Sequence, residues 1–553
     1  MPRLIRVLVA ALALVPPTTS FAQEHQHAPQ AGERLGRVRF PVTCNAAARA
    51  RFEPAVAYLH SFWYEKAGAA FDEVVAADSS CAMGYWGQAM SRFHLLWTPP
   101  PPADLAFGLA AAERGLALAR TARERDYLEA IATYYRDYSA RGAKPRLEAY
   151  ARAMEGTRVR HPEDQEAAIF YAVALIAVGQ ANPTDTTLEN QKRARAILEP
   201  LFRKNPQHPG LAHYLIHATD SPRLAGTGLY AARRYSAIAP DVPHAQHMPS
   251  HVFTQLGRWE DAIASNLRSA ASARRFEVAQ KLDAMWDQRG HALDYLAYAY
   301  LQEGKDAEAR RVVAEMGATT RGFPPNSLIN DYALAAVPAR YALERGQWPE
   351  AAHLSIRPAP SWRAAEAITH FARAIGGARS GDTVLARAEV DSLTAIETAI
   401  TAGGPQPYDW AAQVKIQRLA ATAWLARNRG ETTESVRLAT EAADLEDVTA
   451  KHPVTPGQVL PARELLGDLL LELGRPADAL AAYRESMART PNRARTLYGA
   501  AVAAERAGNR VAAKQYFAQF AELMAHADGE RPELIEARRY LSSTSQSPDR
   551  ARP

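Results

Sequence analysis

Apolar residues recur three and four positions apart along most of this chain, in segments rich in Ala, Leu, Arg and Glu, and strict apolar/polar alternation is rare. That spacing gathers them on one face of a helix, so the pattern predicts an all-α protein. The helical segments are themselves periodic. Near the C-terminus Gly467, Gly474, Ala479 and Tyr483 are matched in turn, at one constant offset, by Ala501, Gly508, Ala513 and Phe517. A glycine followed five positions on by Ala or Ser also recurs at Gly257/Ala262, Gly304/Ala309, Gly346/Ala351, Gly381/Ala386 and Gly430/Ser435. The glycine permits a tight turn between two helices, and the small residue lets the second helix approach the first closely. Stacked helical hairpins are therefore the predicted unit, with Ala67, Phe71 and Tyr85 keeping the register at the N-terminal end.

That constant offset, about 34 residues and carrying these small side chains, resembles the tetratricopeptide repeat. The resemblance implies helical-hairpin repeats wound into an α-α superhelix, a solenoid with a concave groove. Pro99 to Pro102, Gly403 to Pro407 and Pro453 to Pro461 cannot continue a helix and are expected to interrupt that superhelix. The expected organisation is a signal peptide over 1–22, a flexible leader over 23–39 and N-terminal repeat helices over 40–135. A central repeat block over 136–320, irregular repeats over 321–450, a C-terminal repeat pair over 455–530 and a disordered tail over 531–553 complete it.

The N-terminus places Arg3 and Arg6 before an apolar run from Val7 to Val15 and a small-x-small pattern at Ser20-Phe21-Ala22, which predicts cleavage before Gln23 and export, to the periplasm in a bacterium. The run is too short to span a bilayer, which takes roughly 20 residues, and no later segment is apolar for that long. The first cysteine, Cys44, lies well past the cleavage site, so no membrane anchor is expected. An exported chain with only Cys44 and Cys81 suggests one disulfide, two buried free thiols being the alternative. The formal charge of +5 comes from scattered arginines without a basic stripe or interleaved aromatics, which argues against nucleic acid as a partner.

Chemistry is concentrated between His208 and His291, which holds seven of the sixteen histidines. His213 and His217 are four apart, and His244, His247 and His251 stand at i, i+3 and i+7, each set on one helical face. Pro206 and Pro240, one repeat period apart, mark these as the first helices of adjacent repeats, the helices that line a concave surface. Asp220 follows His217 by three, and the next first helix carries His291, Asp294 and Tyr298. Neutral imidazole is the commonest protein metal ligand, and such a set suits Zn, Fe, Cu or Ni, with Asp220 as ligand or orienting partner. A hydrogen-bonded polar network and a metal-free His–Asp acid/base pair remain alternatives. Pro249 lies within the second of these helices, which must kink or start late; a late start would take His244 off the face. His25 and His27 in the leader are read as polar, His60 and His94 as satisfied polar positions, and Trp63, Tyr85, Trp86 and Trp97 as core or groove aromatics. No GxSxG elbow, Walker loop or HExxH motif occurs.

The strings HPGLAHYLIHATDSP, PHAQHMPSHVFTQLGRW and LHSFWYEKAGAAFDEVVAADSSCAMGYWGQAM resemble those of exported bacterial tetratricopeptide proteins, a largely uncharacterised group. The resemblance implies location and fold and names no substrate. The expectation is an exported scaffold or binding protein whose groove takes a peptide, a protein segment or a small ligand at the His/Asp cluster. A metal-dependent hydrolytic or oxidative enzyme on the same groove is the alternative, with binding favoured over catalysis.

Overall fold

The structure is a computed structural model that describes residues 33–96, 99–356, 358–404, 406, 408–529 and 531–545. The signal sequence, His25, His27 and Trp97 lie outside these residues. The protein is all-α: helices pair in antiparallel hairpins from Ala46–His60 with Tyr64–Ala77 to Ala494–Arg506 with Arg510–Leu523, and successive hairpins stack into a superhelix. The one sheet among the described residues is a two-residue parallel pairing of Met285–Trp286 with Gly322–Phe323.

The repeat signature has a direct physical expression. Gly257, Gly304, Gly346, Gly381, Gly430, Gly474 and Gly508 all have positive φ, between 63° and 84°, where a side chain would strain the turn. The small residue five positions after each is fully buried against the preceding helix. Buried apolar residues form two large continuous clusters, Leu35 to Tyr341 and Ile329 to Ala537, which meet on helix Leu328–Glu344. Cys44 and Cys81 are joined by a disulfide that ties the start of helix Ala46–His60 to the start of helix Ala82–Ser91.

Three segments differ from the sequence expectation. Residues 33–39, expected in a flexible leader, run extended along the repeats: Leu35 is buried, Arg37 N–H donates to the Gln207 carbonyl at 2.9 Å, and Arg34 pairs with Asp241 at 3.0 Å. Phe40 follows within an aromatic nest of Phe52, Trp86 and Tyr127. The partners of Arg34 and Arg37 belong to much later hairpins, so a local reading of a short polar stretch misses them. The tail expected to be disordered contains helix Pro532–Ser545, which opens on proline at its first position and seats Leu534 and Ala537 in the core. Those two residues are three apart, an apolar stripe hidden by the polar composition around it.

Pro453 to Pro461 does more than interrupt the superhelix. The segment turns back into the concave face of the central repeats. Ala450 N–H donates to the Pro183 carbonyl at 2.8 Å, Tyr295 Oη donates to the Thr455 carbonyl at 3.1 Å, and Arg340 donates to the Gly457 and Gln458 carbonyls at 2.7 Å each. The repeats beyond it close onto the central block. Arg493, wholly buried, bonds Glu344, Glu464 and the Tyr298 hydroxyl, while Trp259 Nε1 donates to the Asn492 carbonyl at 2.7 Å.

Candidate metal centre

The first helices of three consecutive hairpins, Pro209–Thr219, the pair Pro243–His247 and Pro249–Gln255, and Asp287–Gln302, lie side by side under that segment. The helix bearing Pro249 kinks at Met248 instead of starting late: Met248 N–H still donates to the His244 carbonyl at 2.9 Å and Met248 keeps helical dihedrals. His244 therefore stays on the shared face. Six imidazoles meet there, from His213, His217, His244, His247, His251 and His291, none more than 5% exposed. Phe62, held at φ 53°, lays its ring against His213, His217 and His244 with centroids 4.4, 5.7 and 5.9 Å away. Tyr295 packs on His247, His251 and His291.

The six sort into two sets, in each of which one nitrogen from every ring lies within 4.8 Å of the others. In the first, His213 Nε2 is 3.1 Å from His217 Nε2 and 3.2 Å from His244 Nε2. In the second, His247 Nε2 is 3.0 Å from His251 Nε2, with His291 alongside. The opposite ring edges decide the protonation. His213 Nδ1 lies 2.6 Å from the His60 carbonyl, an obligate acceptor, so it carries the proton and leaves Nε2 a lone pair. His251 Nδ1 donates to Asp220 at 2.8 Å. His247 Nδ1 donates to Asn266 Oδ1 at 2.6 Å, an orientation fixed because Asn266 Nδ2 donates to the Ala262 carbonyl at 2.8 Å.

With both Nδ1 atoms committed as donors, neutral His247 and His251 turn two lone pairs on each other at 3.0 Å. That contact repels unless a cation lies between the nitrogens. A proton is a poor candidate, because burial holds the basicity of both rings down, helped by their mutual charge at His247 and opposed by Asp220 at His251. Imidazole nitrogens bind zinc-like ions at about 2.0–2.1 Å, which puts neighbouring ligand nitrogens of a tetrahedral ion about 3.3 Å apart. The observed spacings of 3.0 to 3.2 Å fall near that value. The Nδ1 atoms of His217 and His291 are buried without a hydrogen-bond partner among the described residues. His213, His217, His244 and His291 are likewise held below the usual histidine range, first by burial and then by neighbouring imidazoles.

Asp220 stands at the edge of the cluster as an orienting partner. Burial would raise its carboxyl, but the Lys451 ammonium 2.9 Å away and His251 hold it well below the usual range. Asp294, expected beside the histidines, is engaged elsewhere: it pairs with the buried Arg340 at 3.0 Å, and Tyr295 takes the position facing the imidazoles. His60, Glu166 and His208 form a third group close enough to hold an ion, but its hydrogen bonds are complete. Glu166 accepts from both Nε2 atoms, His60 Nδ1 meets the Tyr214 hydroxyl at 3.0 Å, and His208 Nδ1 accepts from Leu211 N–H. This group positions the centre, since the His60 carbonyl anchors His213.

Residues that the sequence reading did not single out include Phe62, Asn266, Tyr295, Lys451 and Asp287. Asp287 carried a signal, lying four positions before His291 on the same face. Its carboxyl is pushed up to about 8 by burial and then by the charge of Glu65. On the other side, a cavity of about 120 Å³ is lined by Asp220, Thr254, Gln255, Tyr298, Lys451 and Gly457.

No protein-family profile matches the chain, and no curated protein matches it. Solved structures similar to it include a human IFIT1 dimer with m7Gppp-AAAA, 12% identical over 81% of this chain and 90% of that one, with a TM-score of 0.37. Yeast Tom70 is 11% identical over 90% and 95%, at 0.27, and the APC/C assembly Cut9–Hcn1 is 12% identical over 90% and 96%, at 0.29. Superpositions this loose carry no argument, so the class of the protein, an all-α helical-repeat superhelix, rests on its own helices and turns. No helix among the described residues is long and apolar enough to cross a membrane.

Proposed function

We propose that this is an exported tetratricopeptide-type binding protein whose concave face is organised around a transition-metal centre. The observation that carries the reading is the pair of lone pairs at His247 and His251, 3.0 Å apart with both Nδ1 atoms anchored. A purely structural network would place a proton between them, as it does throughout the His60–Glu166–His208 group. The donors are neutral nitrogens, which suit Zn or Cu, and also Ni or Fe, better than hard ions such as Mg or Ca. Export is supported by the N-terminal pattern and is compatible with the Cys44–Cys81 disulfide. A peptide laid along this face would have to displace residues 450–458, so an ion or small ligand fits the arrangement better than a protein segment.

The reading as a metal-dependent enzyme draws on one observation, the cavity beside Asp220, which would give a small substrate a place within reach of the His251 side of the centre. The first test is elemental analysis of the mature protein purified without a histidine tag, before and after chelation and reloading. Near-stoichiometric transition metal that disappears in a His213→Ala/His247→Ala variant supports the centre. A metal-free protein that stays so after reloading with Zn, Cu, Ni and Fe in turn would sink it.

A further inference from the structure

The two histidine sets are one constellation laid down twice. His213 and His217, advanced by a single repeat period, become His247 and His251. Each pair sits at i and i+4 on the first helix of a hairpin, and each is completed by a histidine from the opening turns of the next first helix, His244 for the first pair and His291 for the second. The paired nitrogens are 3.1 Å apart in one set and 3.0 Å in the other. In each set the leading histidine is tethered through Nδ1, His213 to the His60 carbonyl and His247 to Asn266, both at 2.6 Å. His217 in one set and His291 in the other each keep a buried Nδ1 without a hydrogen-bond partner among the described residues.

These nitrogen contacts all fall within a set. Between sets the rings are neighbours: His217 to His251 is 5.8 Å and His244 to His247 is 6.0 Å between centroids. One ion cannot use all six imidazoles at bond lengths of about 2 Å while three-ring groups each converge on their own point. We propose, on the basis of the metal reading above, that the centre is dinuclear. It holds two ions of the same borderline class, Zn or Cu, each on three neutral imidazoles with one position open, one ion per repeat interface. Two dications held on uncharged ligands repel, and Asp220, which accepts from His251 Nδ1 at 2.8 Å and also pairs with Lys451, brings one carboxylate to the edge of the centre. Three-histidine sites that keep an open position are the form catalytic zinc takes, so the doubled site also fits a small anion shared between the ions.

The test is a stepwise titration of the chelated full-length protein with Co(II), followed by its visible absorption, with Zn(II) and Cu(II) content measured on protein reloaded from excess metal. The unaltered protein should saturate at about two ions per chain. His217→Gln and His291→Gln, which disable one set each, should both retain about one ion with unchanged far-ultraviolet circular dichroism. With Cu(II), spin counting by electron paramagnetic resonance should find well under the two spins per chain that elemental analysis predicts, because adjacent ions couple. Saturation of the unaltered protein at one ion, with either variant losing all of it, would overturn the dinuclear proposal and leave a mononuclear centre. No uptake of any of the three metals would overturn both. If a glutamine variant fails to fold, the Co(II) end point and the spin count on the unaltered protein still decide the outcome.

Discussion

Arg493→Met is expected to loosen the closure of the superhelix over the histidines. The guanidinium is wholly buried and joins three groups from other hairpins: Glu344 at 2.7 Å, Glu464 at 3.1 Å and the Tyr298 hydroxyl at 2.8 Å. Removing it does not affect the two carboxylates equally. Glu464 keeps Arg495 at 3.1 Å and the Thr496 hydroxyl at 2.5 Å, whereas the buried Glu344 loses its ion pair. Breaking a buried pair by removing one partner costs ~3–5 kcal/mol, mostly from the charge left uncompensated. About 4 kcal/mol is roughly a thousandfold in an opening equilibrium. The readout is amide hydrogen exchange: protection of helix Ala494–Arg506 should fall by about that factor, with helix Ala46–His60 unchanged. Adding Glu344→Gln removes the stranded charge and should recover about half of the loss. Protection that falls less than about fivefold, or a double variant worse than the single one, would refute the account of where the energy lies.

Two further outcomes follow from the geometry around the centre. At Gly210 a Cβ would come within 2.6 Å of His60 Nδ1, so Gly210→Ala should cost ~1–3 kcal/mol in urea unfolding and disturb the His60 carbonyl that anchors His213. Gly226→Ala, where a Cβ meets nothing within 4 Å, is the control and should be neutral. Asp287 binds its proton more tightly folded, with its carboxyl near about 8, than unfolded, near ~3.9. Its contribution is complete below about pH 4 and is lost as pH rises towards 8, so the melting temperature should fall across that window and Asp287→Asn should flatten the fall. Parallel pH profiles for the two proteins would refute this.

The repeat architecture was legible because its determinants are local. A glycine turn and a small residue five positions on fix each hairpin, and an i, i+4 histidine pair fixes a face. At Pro249 the sequence offered a kink or a late start, and only the packed helix decides for the kink, which keeps His244 on that face. What sets the chemistry was not local. The acceptor for His213 is a backbone carbonyl 153 residues away, and Lys451 reaches Asp220 across 231 residues. Asp294 had the right spacing for the cluster and was diverted by Arg340, a partner 46 residues on that no local pattern announces. Residues 33–39 and helix Pro532–Ser545 were misread for the same reason, since their partners belong to distant hairpins.

The segment from Ala450 to Gln458 also orders events in the life of the chain. It follows His291 only after several further hairpins, so during synthesis the histidine-bearing helices emerge long before their cover exists. A growing chain whose hairpins packed as they emerged would hold six imidazoles together before that cover arrived. The finished chain buries them, with Tyr295 beside them bonded to the segment's backbone, and an ion bound there would leave only as fast as that segment lifts.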